Sequence, residues 1–166
     1  MAKASGRTVL KFITINSMGI ALFVVLSLCL RVPVFENYYL CLGYVAMAVY
    51  CYSIGTISGT IVGTLGTVLY CFLINGLRGM PGWALGNIII GIIMGSAFRL
   101  AKKINITWVK LGIMSLAVVI GVTLGILVVK SYIEVLLYSQ PFMVRTASNI
   151  YAFVADIVVQ IGRAHV

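Results

Sequence analysis

Apolar residues run almost unbroken through this chain, interrupted at intervals by short polar or glycine-rich stretches. Six runs stand out: Ile13–Leu30, Tyr38–Ile54, Thr60–Ile74, Trp83–Phe98, Leu111–Val129 and Val144–Val159. The breaks read RVPVFEN (31–37), GTISG (55–59), NGLRGMPGW (75–83), RLAKK (99–103) and the semi-polar aromatic KSYIEVLLYSQPF (130–142). Each run is about 15 to 19 residues long, near the lower limit for crossing a hydrocarbon core of about 30 Å. Apolar positions are continuous along each run, not alternating, so the pattern predicts helices and no strands. The expected fold is an all-α membrane protein: one domain over residues 1–160, a bundle of six transmembrane helices, with the sixth helix truncated.

Composition strengthens that reading. Of 166 residues, 62% are hydrophobic and 9% charged, against about 25% charged in a soluble domain. The surface of such a chain cannot face water all round. The net charge of +9 would suggest nucleic acid in a soluble protein. Here the basic residues sit singly between apolar runs, so the charge is topological and no nucleic-acid partner is implied. With the N-terminus inside, Lys3, Arg7, Lys11, Arg99, Lys102, Lys103 and Lys110 lie inside and Arg31, Arg78, Lys130 and Arg145 outside. That excess predicts an N-in, C-in arrangement. The end of the chain departs from the pattern. QIGRAHV turns polar where the run should continue, and it matches a translation of common sequencing-adapter DNA, so Ile161–Val166 are read as a non-native tail.

Several chemistries drop out. Cys29, Cys41, Cys51 and Cys71 lack CxxC spacing and read as small packing residues, and His165 is the single histidine, so no cofactor or metal is implied. No phosphate loop, G-x-S-x-G elbow or HExxH motif occurs, which argues against an enzyme and against ATP hydrolysis by this chain. Glycines recur every fourth residue at Gly55, Gly59 and Gly63 and again at Gly91 and Gly95. Small residues at that spacing let helix backbones approach closely in lipid. Ser17 and Ala21, also four apart, form a smooth strip suited either to the bundle or to a partner's helix.

In a chain so poor in charge, function resides in the few polar groups kept near the membrane. Glu36, Asn37, Tyr38, Arg78, Trp83, Asn87, Tyr138, Gln140 and Asn149 come from the loops after the first, third and fifth runs and the adjoining helix ends. Converging at the outer face, they would form an aromatic cup with a few polar groups, fit for a small flat ligand. Each aromatic alone could equally be an interfacial anchor. Asp156 lies inside the sixth run, where a lone carboxylate costs about 2.5 to 3.5 kcal/mol. It could contact a ligand, carry a proton, or pair with Lys130 or Arg145.

Taken as an ordered set, FENYYLCLGY, GTISGTIVGTLG, LRGMPGWALGN and LLYSQP resemble the substrate-binding S components of energy-coupling factor (ECF) transporters, most closely the riboflavin-type family. The resemblance covers roughly Lys11–Val159. It implies a six-helix bundle that takes a vitamin-like small molecule from outside. It also implies partners: a transmembrane coupling protein and two cytoplasmic ATPases, which supply the motor this chain lacks. Ser17 and Ala21 stand where the family's small-xxx-small strip meets the coupling protein. On this reading Gly76, Gly79, Pro81 and Gly82 shape a turn at the ligand, Arg78 meets an anionic or carbonyl-bearing group, and Trp83 stacks on a ring. The alternative is that Arg78 snorkels to headgroups and Trp83 anchors the helix end. Two other classes stay open at this point: a stand-alone channel or carrier, and a ligand-free accessory subunit.

Overall fold

The computed structural model describes residues 2–29, 32–35, 38–75, 80–139, 141–143, 146–147, 150, 153–154 and 157. Helix α1 spans Ala2–Cys29, so the basic N-terminal stretch joins the first apolar run in one helix. Two short strands follow, β1 (Val32–Phe35) and β2 (Tyr38–Leu40). They pair antiparallel with Val32 opposite Leu40, Pro33 opposite Tyr39 and Phe35 opposite Tyr38. This hairpin corrects the expectation of no strands. The sequence VPVF–YYL is β-branched and aromatic on both sides of Glu36–Asn37, and local β preference prevails where no helical periodicity competes.

The hairpin consumes the start of the second apolar run. What remains is α2, Gly43–Ser53, 11 residues long. At 1.5 Å per residue it reaches only about 16 Å, half a hydrocarbon core. Gly55, at φ +133°, links it to α3 (Thr56–Tyr70). Nothing lies within 4 Å of the place a Cβ would occupy on Gly55. Its glycine therefore serves the backbone angle of the turn and not, as its spacing suggested, a helix crossing. Helix α3 continues through a π-helical turn, Cys71–Asn75. Helix α4 spans Met80–Ala101. Helix α5 (Thr107–Val122), a π-helical segment (Thr123–Lys130) and α6 (Ser131–Tyr138) then follow without a break. The stretch read as a semi-polar connector is thus the end of a 32-residue helix, about 48 Å long, which must tilt or project beyond the core.

The described residues therefore form five helices, of which four are long and apolar enough to cross a membrane: Thr8–Cys29, Thr56–Ile74, Met80–Ala101 and Thr107–Tyr138. From the sixth run, Phe153 and Ile157 pack against the core; its continuity lies outside the described residues. The core is built from Phe23, Tyr44, Met47, Val62, Ile90, Met94, Val122 and Ile126, drawn from α1 through the π segment. Large apolar side chains such as Leu10, Met18, Ile57, Leu100 and Trp108 remain exposed. In lipid that outer surface is solvated, and the interior needs close fit more than hydrophobicity.

Glycines supply that fit. A Cβ on Gly91 would come within 2.8 Å of Thr60 Cα, and one on Gly95 within 2.6 Å of Thr56 Cα, so α3 and α4 touch backbone to backbone. Gly59 and Gly63 face Cys51 and Met47 of α2, and Gly66 faces Phe23 of α1. A Cβ on Gly86 would meet Gly125 O at 2.5 Å, and one on Gly125 would meet Gly86 O at 2.7 Å. The crossing of α4 with the π segment accordingly has room for no side chain on either strand of contact. Cys41, Cys51 and Cys71 are buried and form no disulfide with one another, in keeping with a packing role.

Candidate functional site

Asn87 sits in α4 with no exposed surface. A buried primary amide in an apolar bundle is stable only if its donors and acceptor are satisfied. Asn87 Nδ2 donates to Thr67 Oγ1 at 2.5 Å and to Gly63 O at 3.1 Å, both on α3. Its Oδ1 accepts from Tyr44 Oη at 2.8 Å. Tyr44 Oη in turn accepts the indole N–H of Trp83 at 2.7 Å. The chain of donors Trp83→Tyr44→Asn87→Thr67 therefore ties α2, α3 and α4 together.

Trp83 is the hinge of this arrangement. It is half-buried, and it packs both on the main core and on the smaller cluster of Val24, Tyr70 and Cys71. The Tyr70 ring meets it edge-on, with centroids 5.8 Å apart at 84°. On the other side, Phe23 meets Tyr44 at 6.2 Å and 70°. Edge-to-face pairs of this kind add about 0.5 to 1.5 kcal/mol beyond burial. The indole is thus fixed in orientation by a hydrogen bond at its nitrogen and an aromatic edge beside it. Next to it, Gly82 lies 3.1 Å, measured from an added Cβ, from Lys130 O and 3.4 Å from Glu134 Cγ. Buried Glu134 and Lys130 thereby belong to the same end of the bundle.

Of the residues singled out from the sequence, Trp83 and Asn87 are brought together, through Tyr44. Tyr38 is in β2, paired with Phe35, and Tyr138 closes α6, half-buried. Glu36, Asn37, Arg78, Gln140, Asn149 and Asp156 lie outside the described residues. Tyr44, Thr67 and Tyr70 were not anticipated. A polar residue inside an apolar run was the available signal, since Asn87 must find partners on neighbouring helices. Ser17 and Ala21 are both exposed on α1, whose other side buries Asn16, Phe23 and Ser27.

These features define a helical membrane protein with a preorganised aromatic and polar cluster at one end. Comparison with known proteins assigns the class more closely. The profile of the family described as "ECF-type riboflavin transporter, S component" matches residues 8–166, and the chain belongs to this family. S components are substrate-binding membrane proteins and not enzymes. The chain is also 26% identical over 154 residues to a UPF0397 protein of Streptococcus thermophilus, covering 90% of this chain and 83% of that protein.

Proposed function

We propose that this chain is the substrate-binding component of an ECF-type importer in a bacterial cytoplasmic membrane, capturing a vitamin or related micronutrient from outside. The observation that carries the reading is the fixed indole of Trp83, set between Tyr44 and Tyr70 at the hairpin end. An aromatic plane held in one orientation before binding suits a flat heterocycle and reduces the ordering cost of capture. Asn87 spends its amide on protein groups, so its part in the site is to hold Tyr44 and, through it, Trp83. Tyr38, Tyr138 and the loop residues Glu36, Asn37, Arg78, Gln140 and Asn149 complete the cup, with Arg78 meeting an anionic or carbonyl group. Asp156 supplies a further polar contact.

The sequence contains no ATP-hydrolysing motif, so delivery falls to a coupling protein with two ATPases. The exposed Ser17–Ala21 strip on α1 is the smooth surface such a partner's helix would use. The excess of basic residues near α1, α4 and α5 supports an N-terminus on the inside. The test is a thermal-stability screen of the purified protein against riboflavin and other vitamin ring systems. A ligand at 100 times its Kd should stabilise by about 2.7 kcal/mol. Arg78→Ala should reduce that gain while leaving membrane insertion intact. No response to any ring compound, with a coupling protein still co-purifying, would instead favour a ligand-free accessory subunit.

A further inference from the structure

At the end of the bundle opposite the hairpin, two lysines converge on one ring. Lys110 Nζ, from the first turn of α5, donates to Tyr52 Oη at 2.9 Å and lies 5.3 Å from the ring centroid. Lys102 Nζ, just past the end of α4, lies 4.6 Å from the same centroid. Phe98 braces the ring edge-on at 6.4 Å and 70°. One aromatic face attracts a cation. A second cation on the same ring adds repulsion, because the two ammonium groups then lie within about one Debye length of each other. Arg99, whose Nη2 is 3.4 Å from Thr56 Oγ1, and Lys103 add to the same end. Glu134 is the one acid among the described residues, and it sits at the far end of the long helix. Each ammonium has three donors, and Lys110 commits one of them to Tyr52.

The surroundings specify what would balance this charge. Leu100, Ile106 and Val109 flank the lysines and are exposed, and Trp108 is 81% exposed. Cations rimmed by exposed aliphatic groups and a tryptophan are the signature of a membrane interface, where the polar groups meet headgroups and the apolar ones meet acyl chains. We propose that Tyr52, Lys102 and Lys110 form a cradle for the phosphate of an anionic phospholipid, whose chains run over Leu100, Ile106 and Val109. The lysines take the phosphate oxygens, and Tyr52 holds the two ammonium groups at one place. This inference does not depend on the identity of the transported solute.

The test uses the whole chain in neutral detergent, with phosphatidylglycerol, phosphatidylcholine or glycerol 3-phosphate added and the unfolding midpoint read. Phosphatidylglycerol should raise Tm by about 2 to 4 °C, and neither other addition should do so. The phosphatidylglycerol concentration for half the gain should rise about fivefold for each lysine removed, in Lys102→Gln and then Lys102→Gln/Lys110→Gln. Lys11→Gln removes the same charge as Lys102→Gln, from α1 and away from the ring, and should keep the full response. Equal gains with phosphatidylcholine, or an undiminished gain in the Lys102→Gln/Lys110→Gln protein, would overturn the site. An equal gain with glycerol 3-phosphate would overturn the lipid assignment in favour of a free phosphate. If the double variant does not fold, Lys102→Gln alone decides by the same comparison, since among the described residues its ammonium is held by the ring and not by a hydrogen bond.

Discussion

The two ends of this bundle use tyrosine in opposite ways. At the hairpin end, Tyr44 is fully buried and its hydroxyl both accepts from Trp83 and donates to Asn87, closing a network inside the protein. At the other end, Tyr52 is half-buried and gathers two lysines that no described carboxylate neutralises. The first arrangement is internally satisfied and rigid, which is what a preformed wall for a solute requires. The second is electrostatically unfinished and faces outward, which is what a contact with something outside the chain requires. Polarity in a chain with 9% charged residues is thus divided between holding the fold and meeting its surroundings.

Substitutions should separate the two ends by size of effect. The largest loss is expected for Asn87→Ala, which takes away the acceptor of the Tyr44 hydroxyl and the donor to Thr67 Oγ1 inside the bundle. About 3 kcal/mol of stability should disappear, read from thermal unfolding in detergent. A loss below about 1 kcal/mol would mean that the helices find other partners for these groups, as sometimes happens in membranes. Gly86→Ala should cost about 2 kcal/mol, because the added methyl meets the Gly125 carbonyl and backbone cannot step aside as a side chain can. Tyr44→Phe should cost about 1 to 2 kcal/mol and alter the emission of Trp83, whose indole N–H loses its acceptor. The smallest effect belongs to the lysine end. Lys110→Gln in lipid-free detergent should change stability by less than about 1 kcal/mol, since its hydrogen bond lies at the water-facing end of the helix. A larger loss there would show that the lysines are structural struts, and the contrast between the ends would collapse.

Much of this was readable from local pattern. The long runs in α1, α3, α4 and α5 predicted the four long helices, because continuous apolar stretches have few alternatives in lipid. The four-residue spacing of Gly91 and Gly95 predicted a helix crossing, and α3 fills it. The same spacing misled at Gly55, where a turn's backbone angle and not packing calls for glycine. The second run was misread because hydrophobicity alone does not separate a short hairpin plus short helix from one span. The polar stretch KSYIEVLLY was assigned to a connector, yet it continues the helix, its Ser131 and Glu134 being buried against neighbours. Trp83 and Asn87 were legible as unusual residues in their run. Their partners Tyr44 and Thr67, 20 to 43 residues from them in the chain, were not, since pairing across helices depends on rotation and register that one sequence does not encode visibly. The joint use of Tyr52 by Lys102 and Lys110 was hidden for the same reason.

The chain has two tryptophans, one at each end of the bundle, and this allows the central claim to be tested by fluorescence. In a Trp108→Phe protein, all tryptophan emission comes from Trp83. Titration with riboflavin, and then with other vitamin ring systems, should quench that emission saturably with one of them, and Arg78→Ala should shift the curve to higher concentration. In the Trp83→Phe protein, Trp108 should show no saturable response to the same compound. Saturable quenching confined to Trp108, or none at Trp83 with any ring compound, would contradict the assignment of the hairpin end as the substrate site.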